Sequence, residues 1–159
     1  FVSSYLGCLP TCYGINCMLS SGTSHHGTTN RHRDLDDFKF LSLFVYLTDV
    51  DLSNGPHVYE RGTHFGISEA KNGSDLPPSA HQQTVFVGKA GSAFLEDNWG
   101  VHHGMTIEPG QRRICLWIRY GLYDNWTSRH SVFLEHQKTS DHEFDTNDEI
   151  TKYVFRFLV

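Results

Sequence analysis

His32-Arg33-Asp34 is the only place in the chain where a histidine is followed two positions later by an acid. In an extended strand, residues i and i+2 project to the same face. One imidazole nitrogen and one carboxylate oxygen can then meet at a single point. That is two thirds of the two-histidine, one-carboxylate triad that holds non-haem Fe(II) and leaves coordination positions open. The third ligand must come from a distant strand. His102 and His103 are the candidates, and only one of two adjacent strand residues can face inward. Gly100 and Gly104 flank the pair and allow close backbone approach around a ligand.

Fe(II) held in this way could take the keto and carboxylate oxygens of an α-keto acid, together with O2. The far carboxylate of that acid needs a cation, and the guanidinium fork of arginine grips a carboxylate bidentately. Arg112 and Arg113 open a segment with clean alternation, Arg112–Tyr120. Ile114, Leu116 and Ile118 fall on one face; Arg113, Cys115, Trp117 and Arg119 fall on the other. Arg113 is therefore preferred over Arg112.

The elements that must position these groups read as short strands. Tyr13–Leu19, Phe38–Thr48, His57–Tyr59, Thr84–Val87, Gly91–Glu96 and Arg112–Tyr120 are rich in aromatic and β-branched residues and separated by Gly/Pro/Asn turns. Phe38–Thr48 is nearly continuous in apolar residues and is expected to be buried on both faces. Residues 68–82 are polar, carry Pro77-Pro78 and suit a mobile loop. The acidic run 145–149 suits a helix N-terminus, with a final helix or strand over 150–158. The pattern predicts one all-β domain over residues 1–159, a sandwich or jelly roll, with its core at about 5–122 and an extension over 123–159.

Composition narrows the function classes. The chain has 159 residues, 38% of them hydrophobic and 19% charged, enough for one domain with a core. A net charge of −5 argues against a nucleic-acid partner. No apolar run approaches the roughly 18 residues of a membrane-spanning helix, so no membrane partner is expected. Cys8, Cys12, Cys17 and Cys115 lack paired CxxC spacing and read as reduced thiols of a cytoplasmic protein. The sequon at Asn125-Trp126-Thr127 carries little weight.

Four segments resemble the phytanoyl-CoA dioxygenase family of Fe(II)/2-oxoglutarate-dependent oxygenases. They are Tyr5-Leu6-Gly7-Cys8-Leu9-Pro10; His32-Arg33-Asp34-Leu35-Asp36-Asp37-Phe38; Leu47-Thr48-Asp49-Val50 through Asn54-Gly55-Pro56-His57 to Gly62-Thr63-His64; and Asp97-Asn98-Trp99-Gly100-Val101-His102-His103-Gly104 through Arg113. Their order and spacing carry the match. The resemblance implies a double-stranded β-helix with few helices, and iron ligands at His32, Asp34 and His102, leaving His103 variable. It implies that Arg113 binds 2-oxoglutarate. The implied reaction hydroxylates, or otherwise oxidises, a small-molecule C–H with release of succinate and CO2. Asp34 favours hydroxylation, because related halogenases carry a small residue in place of that carboxylate. Asn98 departs from the family's usual threonine.

The family also carries a largely helical N-terminal portion that almost nothing here precedes Tyr5 to supply. The face of Ile114, Leu116 and Ile118 is therefore expected to lack its usual cover: either the chain is a fragment, or a second copy or a partner supplies the cover. Two other classes stay open. One is a cupin-type metal protein that does not use 2-oxoglutarate, and the other is a catalytically silent interaction or assembly subunit.

Around the site, His57 and His64 are expected to be structural. Trp99 and Trp117 are expected to pack, and Cys115 to be a buried thiol. Asp36 and Asp37 are expected near the surface or behind the ligands, with Asp36 able instead to polarise substrate or to orient Arg33. The loop pair His25-His26 is expected to be solvated.

Overall fold

The structure is a computed structural model that describes residues 1–22, 29–37, 39–65 and 80–122. Among the described residues, seven strands follow one short α-helix, α1 (Val2–Leu6), and a 3-10 turn spans Thr63–Phe65. The strands are β1 (Thr11–Ser21), β2 (Phe40–Tyr46), β3 (His57–Glu60), β4 (Gln83–Phe86), β5 (Ala93–Glu96), β6 (His102–Gly104) and β7 (Arg112–Gly121). Four form one sheet in the order β1-β7-β2-β5, and three form a second in the order β4-β3-β6. All described pairings are antiparallel. This is the expected jelly roll.

Period-2 alternation sorts the side chains of the larger sheet. Register places Met18 opposite Cys115, Ser20 opposite Arg113, Phe44 opposite Trp117 and Phe94, and Ser42 opposite Arg119 and Glu96. These residues share the inner face. The outer face carries Ile15, Cys17 and Leu19 on β1, Ile114, Leu116 and Ile118 on β7, and Leu43 and Val45 on β2. Leu43 and Val45 are only half-buried, so the second face of β2 is less enclosed than its apolar run suggests.

The core sits between the sheets. Phe44, Tyr46, Val50 and Cys115 are buried together, with Met18, Phe86, Phe94 and Trp117 against them. Phe44 stacks on Phe94 and Trp117 with ring centroids 5.2 and 5.8 Å apart. A smaller cluster of Tyr13 and Phe40 takes Trp99. Among the described residues no helix is long and apolar enough to cross a membrane. The four cysteines are free. His25-His26, residues 68–79 of the polar loop, the sequon and the whole 123–159 extension lie outside the described residues.

Candidate metal centre

His32 follows a loop and has only one bridge partner, His102 on β6. The two residues exchange backbone hydrogen bonds, His32 N–H to His102 O at 3.0 Å and His102 N–H to His32 O at 2.9 Å. Two residues on, the Asp34 N–H donates to Asn98 O at 3.0 Å. The His32–Asp34 segment is thus tied at both ends to the 98–102 segment. Extended geometry then puts His32 and Asp34 on the side facing His102.

Side-chain hydrogen bonds aim the ligand atoms. Nδ1 of His32 lies 2.7 Å from Asn30 O, and Nδ1 of His102 lies 2.9 Å from Gly100 O. A carbonyl only accepts, so each Nδ1 carries the proton and each Nε2 keeps its lone pair. Both Nε2 atoms lie 3.7 Å from Asp34, one from each carboxylate oxygen. One donor atom from each of the three residues falls within 4.8 Å of the others. Asn98, fully buried, donates from Nδ2 to Asp34 Oδ2 at 2.9 Å. Such an outer contact fixes a ligating carboxylate in orientation. Burial lowers the His102 pKa below its ordinary value, which favours the neutral imidazole a metal requires. Two neutral imidazole nitrogens and a carboxylate oxygen are a donor set that fits Fe(II).

The triad opens on a cavity of about 100 Å³, lined also by Phe44, Tyr46, His57, Arg113 and Trp117. Arg113 reaches it from the start of β7 and donates to Gly55 O. Gly55 has φ +72°, and a Cβ there would lie 2.4 Å from Ile107, so the turn that receives Arg113 requires glycine. Arg112 is exposed and does not line the cavity. His103, beside His102, points to the other face of the small sheet, opposite Val58.

Several secondary expectations change. Asp36 accepts from Arg119 at 3.0 Å and from the Tyr13 hydroxyl at 3.1 Å. Arg33 donates to Thr63 O at 2.7 Å and to Trp99 O. Asp37 accepts from the Leu122 N–H at 2.9 Å. Trp117 lines the cavity, with its indole N–H on Ser42 Oγ at 2.8 Å, whereas Trp99 packs as expected. Cys115 is buried and also borders the cavity. His64 stays near the turn, 3.4 Å from the Tyr59 hydroxyl.

His57, expected as a structural histidine near the turn, is hydrogen-bonded there through its backbone and also lines the cavity. It opposes Gly104, so His102 is its diagonal neighbour, and their rings stack at 5.4 Å. Its Nε2 lies 2.8 Å from Glu96 Oε2. Burial pushes the His57 pKa down to about 3 and that of Glu96 up to about 8. Burial thus disfavours the charged form of both groups. One signal could have found it. Glu96 alternates with Phe94 on the inward face of β5, an acid where the strand pattern calls for an apolar residue.

No family model matches the chain, and no curated protein sequence does. Solved structures do. The non-haem α-ketoglutarate-dependent epimerase SnoN from nogalamycin biosynthesis superposes with a TM-score of 0.63 at 15% identity, over 75% of this chain and 52% of that one. The non-haem monooxygenase ThoJ gives 0.58 at 20% identity, over 74% and 48%. The α-ketoglutarate-dependent carbocyclase SnoK, also from nogalamycin biosynthesis, gives 0.54 at 16% identity, over 72% and 51%. The chain spans about half the length of these structures. At such identities what it shares with them is the jelly-roll fold.

Proposed function

We propose that the chain is a non-haem Fe(II)/2-oxoglutarate-dependent dioxygenase of the phytanoyl-CoA dioxygenase family. It hydroxylates, or otherwise oxidises, a small-molecule C–H. One observation carries this reading: the ligand atoms of His32, Asp34 and His102 converge on a cavity that Arg113 also lines. The fold neighbours described as α-ketoglutarate-dependent support it. The four free thiols favour a cytoplasmic location.

His32 and His102 hold the metal through Nε2, and Asp34 holds it through its carboxylate. When bound, Fe(II) with 2-oxoglutarate and O2 supplies oxidative chemistry, coupling loss of CO2 and formation of succinate to oxidation of the substrate C–H. Asn98 keeps the Asp34 carboxylate turned toward the two imidazoles. Arg113 takes the far carboxylate of 2-oxoglutarate as a charge-assisted pair. Met18, Phe44 and Trp117 form an apolar wall that excludes water and leaves the open side to substrate. Asp34 occupies a ligand position that halide would need, so hydroxylation is the favoured outcome.

The test is conversion of 2-oxoglutarate to succinate by the Fe(II)-loaded protein in air, with Asp34→Ala as control. Succinate from the unaltered chain and none from Asp34→Ala is expected. Folded, metal-loaded protein that forms no succinate contradicts the proposal, and oxidation of a substrate without succinate points to a cupin-type enzyme.

A further inference from the structure

His32 and Asp34 face the cavity, and Arg33 between them faces the other way, as alternation along an extended segment requires. Its side chain is not left in solvent. Arg33 is 8% exposed, and its Nη1 donates to Thr63 O at 2.7 Å and also to Trp99 O. A packed apolar side chain at this position would avoid desolvating a guanidinium. A buried cation therefore stands on the far side of the ligand segment, bound to main-chain carbonyls of two other segments.

Trp99 lies between the residues that hold two of the ligands. Asn98, one position earlier, donates from Nδ2 to Asp34 Oδ2 at 2.9 Å and accepts the Asp34 N–H at its main-chain oxygen. Gly100, one position later, accepts Nδ1 of His102 at 2.9 Å. Residues 98, 99 and 100 thus hold Asp34, Arg33 and His102 in turn. The planar Trp99–Gly100 peptide is fixed on both sides, its carbonyl by Arg33 and its N–H by Asp97 O at 2.9 Å. Gly100 itself has no side chain to restrain its backbone.

Thr63, the second acceptor, is tied to the same strand. Its hydroxyl donates to Glu60 O at 2.7 Å and accepts the Val101 N–H at 2.8 Å. The Glu60 carboxylate takes Arg31 on both oxygens, at 2.6 and 3.0 Å. Arg31 and Arg33, which flank His32, therefore grip one turn at the end of β3.

We propose that Arg33 is a positioning residue of the metal centre. It acts through the Trp99–Gly100 peptide, on which the His102 ring orientation depends, and locks the 32–34 segment to the 98–102 segment from the side opposite the ligands. This rests on the metal-binding reading proposed above. An ammonium also carries donors for two carbonyls, so lysine can do the same work, whereas methionine fills the space without a donor.

Anaerobic calorimetric titration of the metal-free protein with Fe(II) tests this, with Co(II) as a stand-in whose visible spectrum reports coordination geometry. Arg33→Met is expected to weaken Fe(II) roughly 10–100-fold and to shift the spectrum of the Co(II)-saturated protein. Arg33→Lys should recover most of the affinity and the original spectrum. Fe(II) affinity within about twofold of the unaltered chain in Arg33→Met overturns the proposal. A loss that Arg33→Lys does not recover overturns it too. So does a lower melting temperature of the metal-free protein with the Co(II)-saturated spectrum unchanged, which would mark a purely structural arginine. If Arg33→Met does not fold, Arg33→Gln, too short to reach both carbonyls, is judged by the same readouts. Asp34→Ala separates the two levels. Binding that is lost in Asp34→Ala but unchanged in Arg33→Met removes only the role of Arg33. Absence of Fe(II) binding by the unaltered chain removes the metal centre as well.

Discussion

His32 and His102 face each other across a single antiparallel bridge, with both backbone hydrogen bonds made at 3.0 and 2.9 Å. The ring centroids are 4.4 Å apart, and both Nε2 atoms point at Asp34. The backbone therefore sets the spacing of the two imidazoles before any metal binds. Preorganisation of this kind lowers the ordering cost of ligation.

Asn98 extends that preorganisation to the carboxylate. Asn98→Ala removes the Nδ2 donor 2.9 Å from Asp34 Oδ2. Loss of an outer contact to a ligand typically costs about 10–100-fold in metal affinity. Titration with Fe(II) should show a drop in that range with the far-ultraviolet dichroism unchanged. Wild-type affinity would mean that Asp34 is oriented by its backbone alone.

Arg113→Leu should raise the 2-oxoglutarate concentration needed for half-maximal succinate formation by roughly 10–100-fold, as expected for loss of a charge-assisted pair. Arg112→Leu should stay near wild type, because Arg112 is exposed outside the cavity. Steady-state kinetics on both variants checks the contrast.

Glu96 gives the metal-free protein a pH-dependent stability of a specific sign. Its pKa rises from 4.5 to about 8 on folding, chiefly through burial. Below the unfolded value both states hold the proton and the group is neutral toward stability. Between pH 4.5 and 8 the unfolded chain releases a proton that the folded chain keeps, so stability falls as pH rises, by at most about 1.4 kcal/mol per unit. Urea unfolding of chelator-treated protein across that window should show the decline, and Glu96→Gln should flatten it. A slope unchanged by Glu96→Gln would assign the effect to other groups.

Gly100 lies against Tyr59. A Cβ at position 100 would fall 2.0 Å from the Tyr59 hydroxyl oxygen, which itself donates to Asp97 O at 2.9 Å. Gly100→Ala should displace that ring and destabilise the fold by about 1–3 kcal/mol. Thermal melting of the metal-free variant reads the effect directly. Because Gly100 O receives Nδ1 of His102, metal affinity should fall with it.

Much of the fold and part of the site were legible in the chain. The apolar runs and Gly/Pro turns marked β2, β4, β5 and β7. Alternation along β7 correctly divided Arg113 and Trp117 from Ile114 and Leu116, because period-2 patterning is local. What was not legible was set by long-range register. His57 follows a turn and reads as a turn residue. It enters the cavity only because β3 pairs with β6 so that His57 opposes Gly104. Asp36, two positions after Asp34, looked able to share its direction. Arg119 and Tyr13, brought in by β7 and β1, instead give it two hydrogen bonds. The short helix α1 gave no clear signal, since five residues hold too little periodicity to read.

The central claim is that one metal is held by His32, Asp34 and His102 and completed by 2-oxoglutarate. Anaerobic addition of Fe(II) and then 2-oxoglutarate, followed by visible absorption, tests it most directly. A weak charge-transfer band is expected in the unaltered chain and in His103→Ala, and its loss in His102→Ala. A folded chain with no band, or a band that survives His102→Ala and disappears in His103→Ala, would contradict it.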